Sequence, residues 1–104
     1  LQKMKVPFVV IDHNPKVILA LNKWGVNGIY GDAGDKGFLS QIEWSKVKLV
    51  ISTIPDSDSN IVIREYLKEI KSKAAFVATA EQPRAALELY NRGADYVLIP
   101  HHLG

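Results

Sequence analysis

The sequence predicts an α/β fold, a Rossmann-like parallel sheet with flanking helices, and three observations predict it. Short β-rich runs alternate with single amphipathic helices along the whole chain, the pattern of right-handed βαβ crossovers in a parallel sheet. Two helix-to-strand joints, Trp24-Gly25-Val26 and Arg92-Gly93-Ala94, put glycine where the chain must turn left-handed. The apolar run Val6-Pro7-Phe8-Val9-Val10-Ile11 ends in Asp12 and passes directly into a helix start. In doubly wound folds such a strand end sets a carboxylate over the sheet edge, where a nucleotide ribose lies. The glycine-rich loop that belongs about 20 residues before such an acid is not in this sequence. The fold therefore reads as truncated at the N-terminus, with its first strand missing.

Each element has its own signals. The first strand is expected over Val6 to Ile11. The helix after it has Asn14 as N-cap and Pro15 at its first position, where the missing N–H costs nothing. Val17, Ile18, Ala20, Leu21 and Trp24 supply its apolar face, and Gly25 ends it. A second strand, Val26 to Tyr30, runs into Gly31-Asp32-Ala33-Gly34. A helix from Lys36 to Trp44 turns Phe38, Leu39 and Ile42 inward. Val47 to Ile54 is a near-continuous apolar run, as in a parallel strand covered on both faces. Pro55-Asp56-Ser57-Asp58-Ser59 makes a turn and helix cap, and a helix from Asn60 to Ile70 presents Ile61, Val62, Tyr66, Leu67 and Ile70. A fourth strand spans Ala75 to Thr79, a helix opens at Pro83 and closes at Gly93, and Tyr96 to Ile99 is the last strand, stopped by Pro100.

Composition narrows the class. The chain has 104 residues, 47% hydrophobic and 23% charged, with a net charge of +2, which suits one folded domain with a modest core. Its lysines are scattered and form no basic block interleaved with aromatics, so nucleic acid is not an expected partner. Cysteine is absent, which removes disulfides, thiolate catalysis and thiolate zinc sites. No apolar run approaches the roughly 18 residues that span a bilayer. Catalysis finds no motif either: there is no Gly-x-Ser-x-Gly, no convincing carboxylate pair and no His-Glu metal helix. The chain is expected to bind without turnover.

Ligands of such sheets sit beyond the carboxyl ends of the strands, and those ends carry Asp12, Asp32, Thr53 and Thr79-Ala80-Glu81. Asp12 is placed to accept both hydroxyls of a ribose and to repel a 2′-phosphate, favouring NAD or adenine nucleotides over NADP. Gly31-Asp32-Ala33 lets the backbone and a short carboxylate approach a flat ring, and His13 is a loop contact beside Asp12. Thr53 ends the strand nearest the expected pyrophosphate. Each has a plainer alternative. Asp12 and Asp32 can be turn residues, and Thr53 a satisfied strand end. His101-His102 lack a third ligand, and Trp24 and Trp44 are most simply core or groove-lining residues.

The succession Val9-Val10-Ile11-Asp12-His13-Asn14-Pro15, Gly28-Ile29-Tyr30-Gly31-Asp32-Ala33, Leu49-Val50-Ile51-Ser52-Thr53-Ile54-Pro55 and Gly93-Ala94-Asp95-Tyr96-Val97-Leu98-Ile99-Pro100 resembles the RCK/KTN domain, also called TrkA-N. Asp-His-Asn-Pro and the closing Pro-His-His-Leu look most like its Kef-type cation/proton antiporter branch. The resemblance covers nearly the whole chain, with residues 1–104 as one partial domain. It implies a cytoplasmic regulatory domain of a potassium channel or monovalent-cation antiporter, held at the inner face of the membrane through an attached transport portion. It implies NAD(H) or an adenine nucleotide as ligand, and assembly as homodimers or higher oligomers. By the resemblance Asp12 matches the ribose-binding acid, Asp32 and Ala33 the adenine-side motif, and Thr53 the strand end beside the pyrophosphate. Leu1-Gln2-Lys3-Met4-Lys5 matches the tail of the first helix, so the central strand is expected to be missing between the strands ending at Asp12 and Thr53. Those two strands are then expected to expose unpaired backbone, to borrow pairing from a neighbouring chain, or to close on each other. Two other classes stay open: the cofactor half of an NAD-dependent dehydrogenase, and an interaction module with a decayed nucleotide site. A phospho-receiver is weaker, since Asp12 has no neighbouring acid and the last strand no lysine.

Overall fold

In the computed structural model, which describes residues 8–31 and 36–100, five strands form one wholly parallel sheet in the order β2-β1-β3-β4-β5. The strands are β1 (Phe8–Asp12), β2 (Gly28–Tyr30), β3 (Leu49–Ser52), β4 (Ala75–Thr79) and β5 (Tyr96–Leu98). Between them lie α1 (Pro15–Lys23), the short α2 (Lys36–Leu39), α3 (Ser57–Glu69) and α4 (Pro83–Asn91). The expected Rossmann-like α/β architecture is present. Among the described residues no strand stands between β1 and β3. The two pair directly, Phe8 with Leu49 through Ile11 with Ser52, so their backbones are satisfied by closing on each other.

The core lies on one face of the sheet. Val9 and Ile11 of β1, Val50 of β3, Phe76 and Ala78 of β4 and Val97 of β5 point to it. Ile63, Tyr66 and Leu67 of α3, Ala86 and Leu89 of α4 and Leu39 of α2 cover them. The period-2 alternation of strands sends Val10 and Asp12 to the other face, where α1 packs over β1 and β2. Here β3 departs from expectation. Its pattern alternates, with Val50 and Ser52 buried and Leu49 and Ile51 half-buried, because α1 does not extend over the second face of β3. Tyr96 and Leu98 on β5 are exposed.

Helix ends follow local chemistry. Asn14 Oδ1 accepts the Lys16 N–H at 3.0 Å, which caps α1. The helix stops at Lys23, so Trp24 becomes its C-cap and is 84% exposed; it is not part of the core. Ala20 is exposed as well. The expected helix to Trp44 ends at Leu39. Ser40 Oγ donates to the Gly37 carbonyl at 2.7 Å, a side-chain bond that competes with continued helix, and the chain re-forms as a 3₁₀ turn over Trp44–Lys46. Trp44 does join the core margin: its indole N–H donates to the Leu39 carbonyl at 2.8 Å and its ring lies 6.0 Å from Tyr66. The side chain of Phe38 lies outside those described.

Helix α3 starts three residues earlier than expected. Asp56 is the N-cap, its Oδ2 accepting from the Ser59 N–H at 3.2 Å and the Ser59 hydroxyl at 2.7 Å. The buried stripe is then Asn60, Ile63, Tyr66 and Leu67, with Ile61 and Val62 half-buried and Ile70 beyond the last turn exposed.

Gly93, at φ +106, occupies the left-handed region that its joint demands. A Cβ there would stand 2.8 Å from Arg64 Nε, whose N–H donates to the Arg92 carbonyl at 3.3 Å and so finishes α4. Gly93→Ala is expected to destabilise the chain by about 1–3 kcal/mol, from backbone strain and displacement of Arg64 together. Urea unfolding of the two forms measures it.

Candidate functional site

The sheet order reverses between β1 and β3: the chain leaves β1 toward β2 on one side and returns to β3 on the other. Such a switch point leaves a crevice at the carboxyl ends of the strands. A cleft of about 370 Å³ lies there, within the range of small-molecule sites. His13 follows β1 into it, and Tyr30 and Gly31 enter from the end of β2. Ile54 and Pro55 form the wall after β3, and Asp56 and Ser59 come from the first turn of α3.

Asp12 and Thr53 do not line this cleft; they tie together the strand ends that frame it. Asp12 is 7% exposed. Its Oδ1 accepts the Asn14 N–H at 2.7 Å, and its Oδ2 accepts the Thr53 hydroxyl. The Ile11 carbonyl takes the Thr53 N–H at 3.0 Å, and the Asp12 carbonyl takes the Gly31 N–H at 3.3 Å. One dipeptide thus holds the ends of β2 and β3 to β1.

Asn60 makes a comparable tie deeper in. Fully buried, it donates through Nδ2 to the Ile54 carbonyl at 2.8 Å and the Thr79 carbonyl at 2.9 Å. Thr79 Oγ1 donates to the Ser52 carbonyl at 2.8 Å. The ends of β3 and β4 and the start of α3 are thereby locked in one frame.

The residues singled out in the sequence divide into three groups. His13 and Gly31 line the cleft; Asp12 and Thr53 are bonded to each other and are not among its lining residues; Asp32 and Ala33 lie outside the described residues, as do His101 and His102. Tyr30, Asp56 and Ser59 were not singled out as ligand contacts. The Asp-x-x-Ser spacing that caps α3 was the available signal, because an N-cap after a sheet strand sits at the strand's carboxyl end. Among the described residues no cluster of three or more His, Cys, Asp or Glu could hold a metal ion.

The cleft's chemistry suits one part of a nucleotide better than another. It offers the Asp56 carboxylate, the Ser59 hydroxyl, the His13 imidazole, the Gly31 backbone, the apolar Ile54 and Pro55 and the Tyr30 phenol, which fit the hydroxyls and flat ring of a nucleoside. Among the described residues no lysine or arginine lines it.

Comparison with known proteins bears on this arrangement. The family model for the TrkA-N domain matches residues 1–100. The chain belongs to the TrkA-N domain family. This TrkA-N domain is 30% identical over 105 residues to "Potassium channel protein 1" of Methanocaldococcus jannaschii, covering 99% of the chain and 32% of that protein. It is 30% identical over 90 residues to the glutathione-regulated potassium-efflux system protein KefC of Escherichia coli O139:H28, covering 86% of the chain and 14% of KefC. The TrkA-N domain thus spans a third or less of the length of these relatives. Among solved structures it is similar to the GsuK channel bound to NAD, with a TM-score of 0.68 and 21% identity over 92% of this chain and 21% of that one. That likeness shows the shared fold.

The Asp12–Thr53 bond yields a stability test. Thr53→Val removes the hydroxyl and leaves a nearly buried carboxylate oxygen without its donor. A loss of about 1–3 kcal/mol is expected, while Thr53→Ser, which keeps the donor, should recover most of it. Chemical denaturation of the three forms reads the difference.

Proposed function

We propose that this TrkA-N domain is a regulatory module that senses NAD(H) or an adenine nucleotide and controls transport of potassium or another monovalent cation. The family match carries the reading, because both named relatives are potassium-transport proteins and the chain corresponds to a part of each. The cleft at the switch point supports it with a site of nucleoside character. The fold shared with a channel bound to NAD is in keeping with it.

The mechanism follows from linkage. A nucleotide that binds one arrangement of paired domains more tightly than another shifts the population toward that arrangement by its difference in affinity, and no more. The domain works as a dimer or larger ring attached to a membrane transport portion, at the cytoplasmic face. No bond in the nucleotide is made or broken. His13 and Gly31 contribute the β1 and β2 side of the site, with Asp12 and Thr53 holding the strand ends and Asp32-Ala33 continuing from Gly31. None of the helices among the described residues is long and apolar enough to cross a membrane, so the reading assigns this domain sensing and leaves conduction to the attached portion.

Isothermal titration of the chain with NAD, NADH, AMP and ATP tests the proposal. Saturable one-site binding of at least one of them is expected, in about the micromolar to millimolar range. Binding of none would leave the interaction module as the better reading.

A further inference from the structure

We propose that Asn27 is a deamidation site of this chain, and that the Asn22 side chain keeps the reaction slow in the folded state. The inference stands apart from the nucleotide reading. Asn27-Gly28 is the one Asn-Gly pair in the sequence, and Asn27 is exposed at the entry to β2. In the reaction the Gly28 amide gives its proton to hydroxide and its nitrogen attacks Asn27 Cγ. The N–Cγ bond forms, the Cγ–Nδ2 bond breaks, and ammonia leaves with a proton returned by water. Water then opens the cyclic imide at either carbonyl, giving aspartate or isoaspartate at position 27.

A side chain after the asparagine hinders this ring closure, and glycine has none. The fold requires glycine here for a separate reason. A Cβ on Gly28 would stand 3.1 Å from Leu21 Cβ and 3.4 Å from Ile18 Cδ1, where α1 packs on β2. Packing thus selects the residue that leaves Asn27 open to attack.

Three hydrogen bonds oppose the attack. The Gly28 N–H donates to Asn22 Oδ1 at 3.1 Å and to the Val26 carbonyl at 2.9 Å, so its proton is engaged and its nitrogen held. The Asn27 carbonyl accepts the Val10 N–H at 3.0 Å, which fixes the peptide between the two residues. Ring closure therefore needs the start of β2 to open. β2 is a three-residue edge strand, and elements of that kind open at small cost. The bond to Asn22 is the one of the three made by a side chain, so a substitution can remove it.

The product bears on the cleft wall. Isoaspartate routes the backbone through the former side chain, adds a carbon ahead of β2, and turns the carbonyl that accepts the Val10 N–H into a carboxylate. β2 then shifts against β1, and the bond from the Gly31 N–H to the Asp12 carbonyl at its far end weakens.

The experiment ages the full chain in mildly alkaline buffer, folded and in urea, as wild type, Asn22→Ala and Asn22→Asp. Peptide mass spectrometry with isoaspartate detection follows position 27. In urea the three should deamidate at one rate, and folded wild type should be slower by about tenfold or more. Folded Asn22→Ala should run roughly 2–10-fold faster than wild type, the factor for one hydrogen bond. Asn22→Asp keeps the acceptor oxygen and should stay near wild type. Alanine suits a helix, so the melting temperature of Asn22→Ala should stay close to wild type, which separates loss of this bond from general unfolding. Exchange of the Gly31 amide should quicken as isoaspartate accumulates. Folded wild type reacting as fast as in urea overturns the proposal, and so does a folded Asn22→Ala rate equal to wild type. An Asn22→Asp rate matching Asn22→Ala removes the acceptor role of Asn22, and an intact Asn27 in urea removes the site.

Discussion

Two consecutive residues, Ile11 and Asp12, hold the carboxyl end of this sheet together. The Ile11 carbonyl receives the Thr53 N–H, the Asp12 carbonyl receives the Gly31 N–H, and the Asp12 carboxylate receives the Thr53 hydroxyl and the Asn14 N–H. In a parallel sheet every strand ends on the same side, so the edge is a row of chain ends that must be satisfied as they diverge into loops. At the reversal between β1 and β3 the following segments leave in opposite directions. That divergence opens the cleft, and the Ile11–Asp12 bonds hold the strand ends beside it.

Burial changes what a carboxylate can do. Asp12 sits where leaving its oxygens unpaired would be costly, and the protein satisfies them from within. Asp56 sits at the surface, where its charge favours the start of α3, and lines the cleft. The two acids thus differ, one binding strands to each other and one presented outward. The core beneath them makes this possible. α3 is anchored by Ile63 and Leu67 in the main cluster and by Asn60 across β3 and β4, so its first turn, with Asp56 and Ser59, is positioned as part of the rigid frame.

Much of the architecture was legible because it rests on local rules. The alternation of apolar runs and amphipathic segments, Pro15 after an Asn14 cap, and glycines at 25 and 93 each specify conformation through nearby atoms alone, and all are found as expected. Departures arose where a side chain had two uses for its hydrogen bonds. Ser40 turned back on Gly37 and shortened α2; Asp56 and Ser59 capped α3 early and moved Asn60 inside. Apolar character also misled at Trp24, since a helix that stops at Lys23 leaves its C-cap side chain facing solvent. In the site, His13 and Gly31 could be placed from strand ends. The engagement of Asp12 by Thr53 could not, since 41 residues separate them in sequence.

By itself the sequence determined the fold class, the parallel direction of the strands and the family, since these depend on periodicity, on crossover handedness and on motifs read in order. Which strands would be neighbours at the reversal, and therefore which acid would be occupied and which left facing the cleft, only the tertiary structure decided. The reason is physical: side-chain alternation tells a residue which face of its own strand it occupies. What partner waits across the gap depends on how distant segments are brought side by side, and here direct pairing of β1 with β3 brings the Thr53 hydroxyl to Asp12.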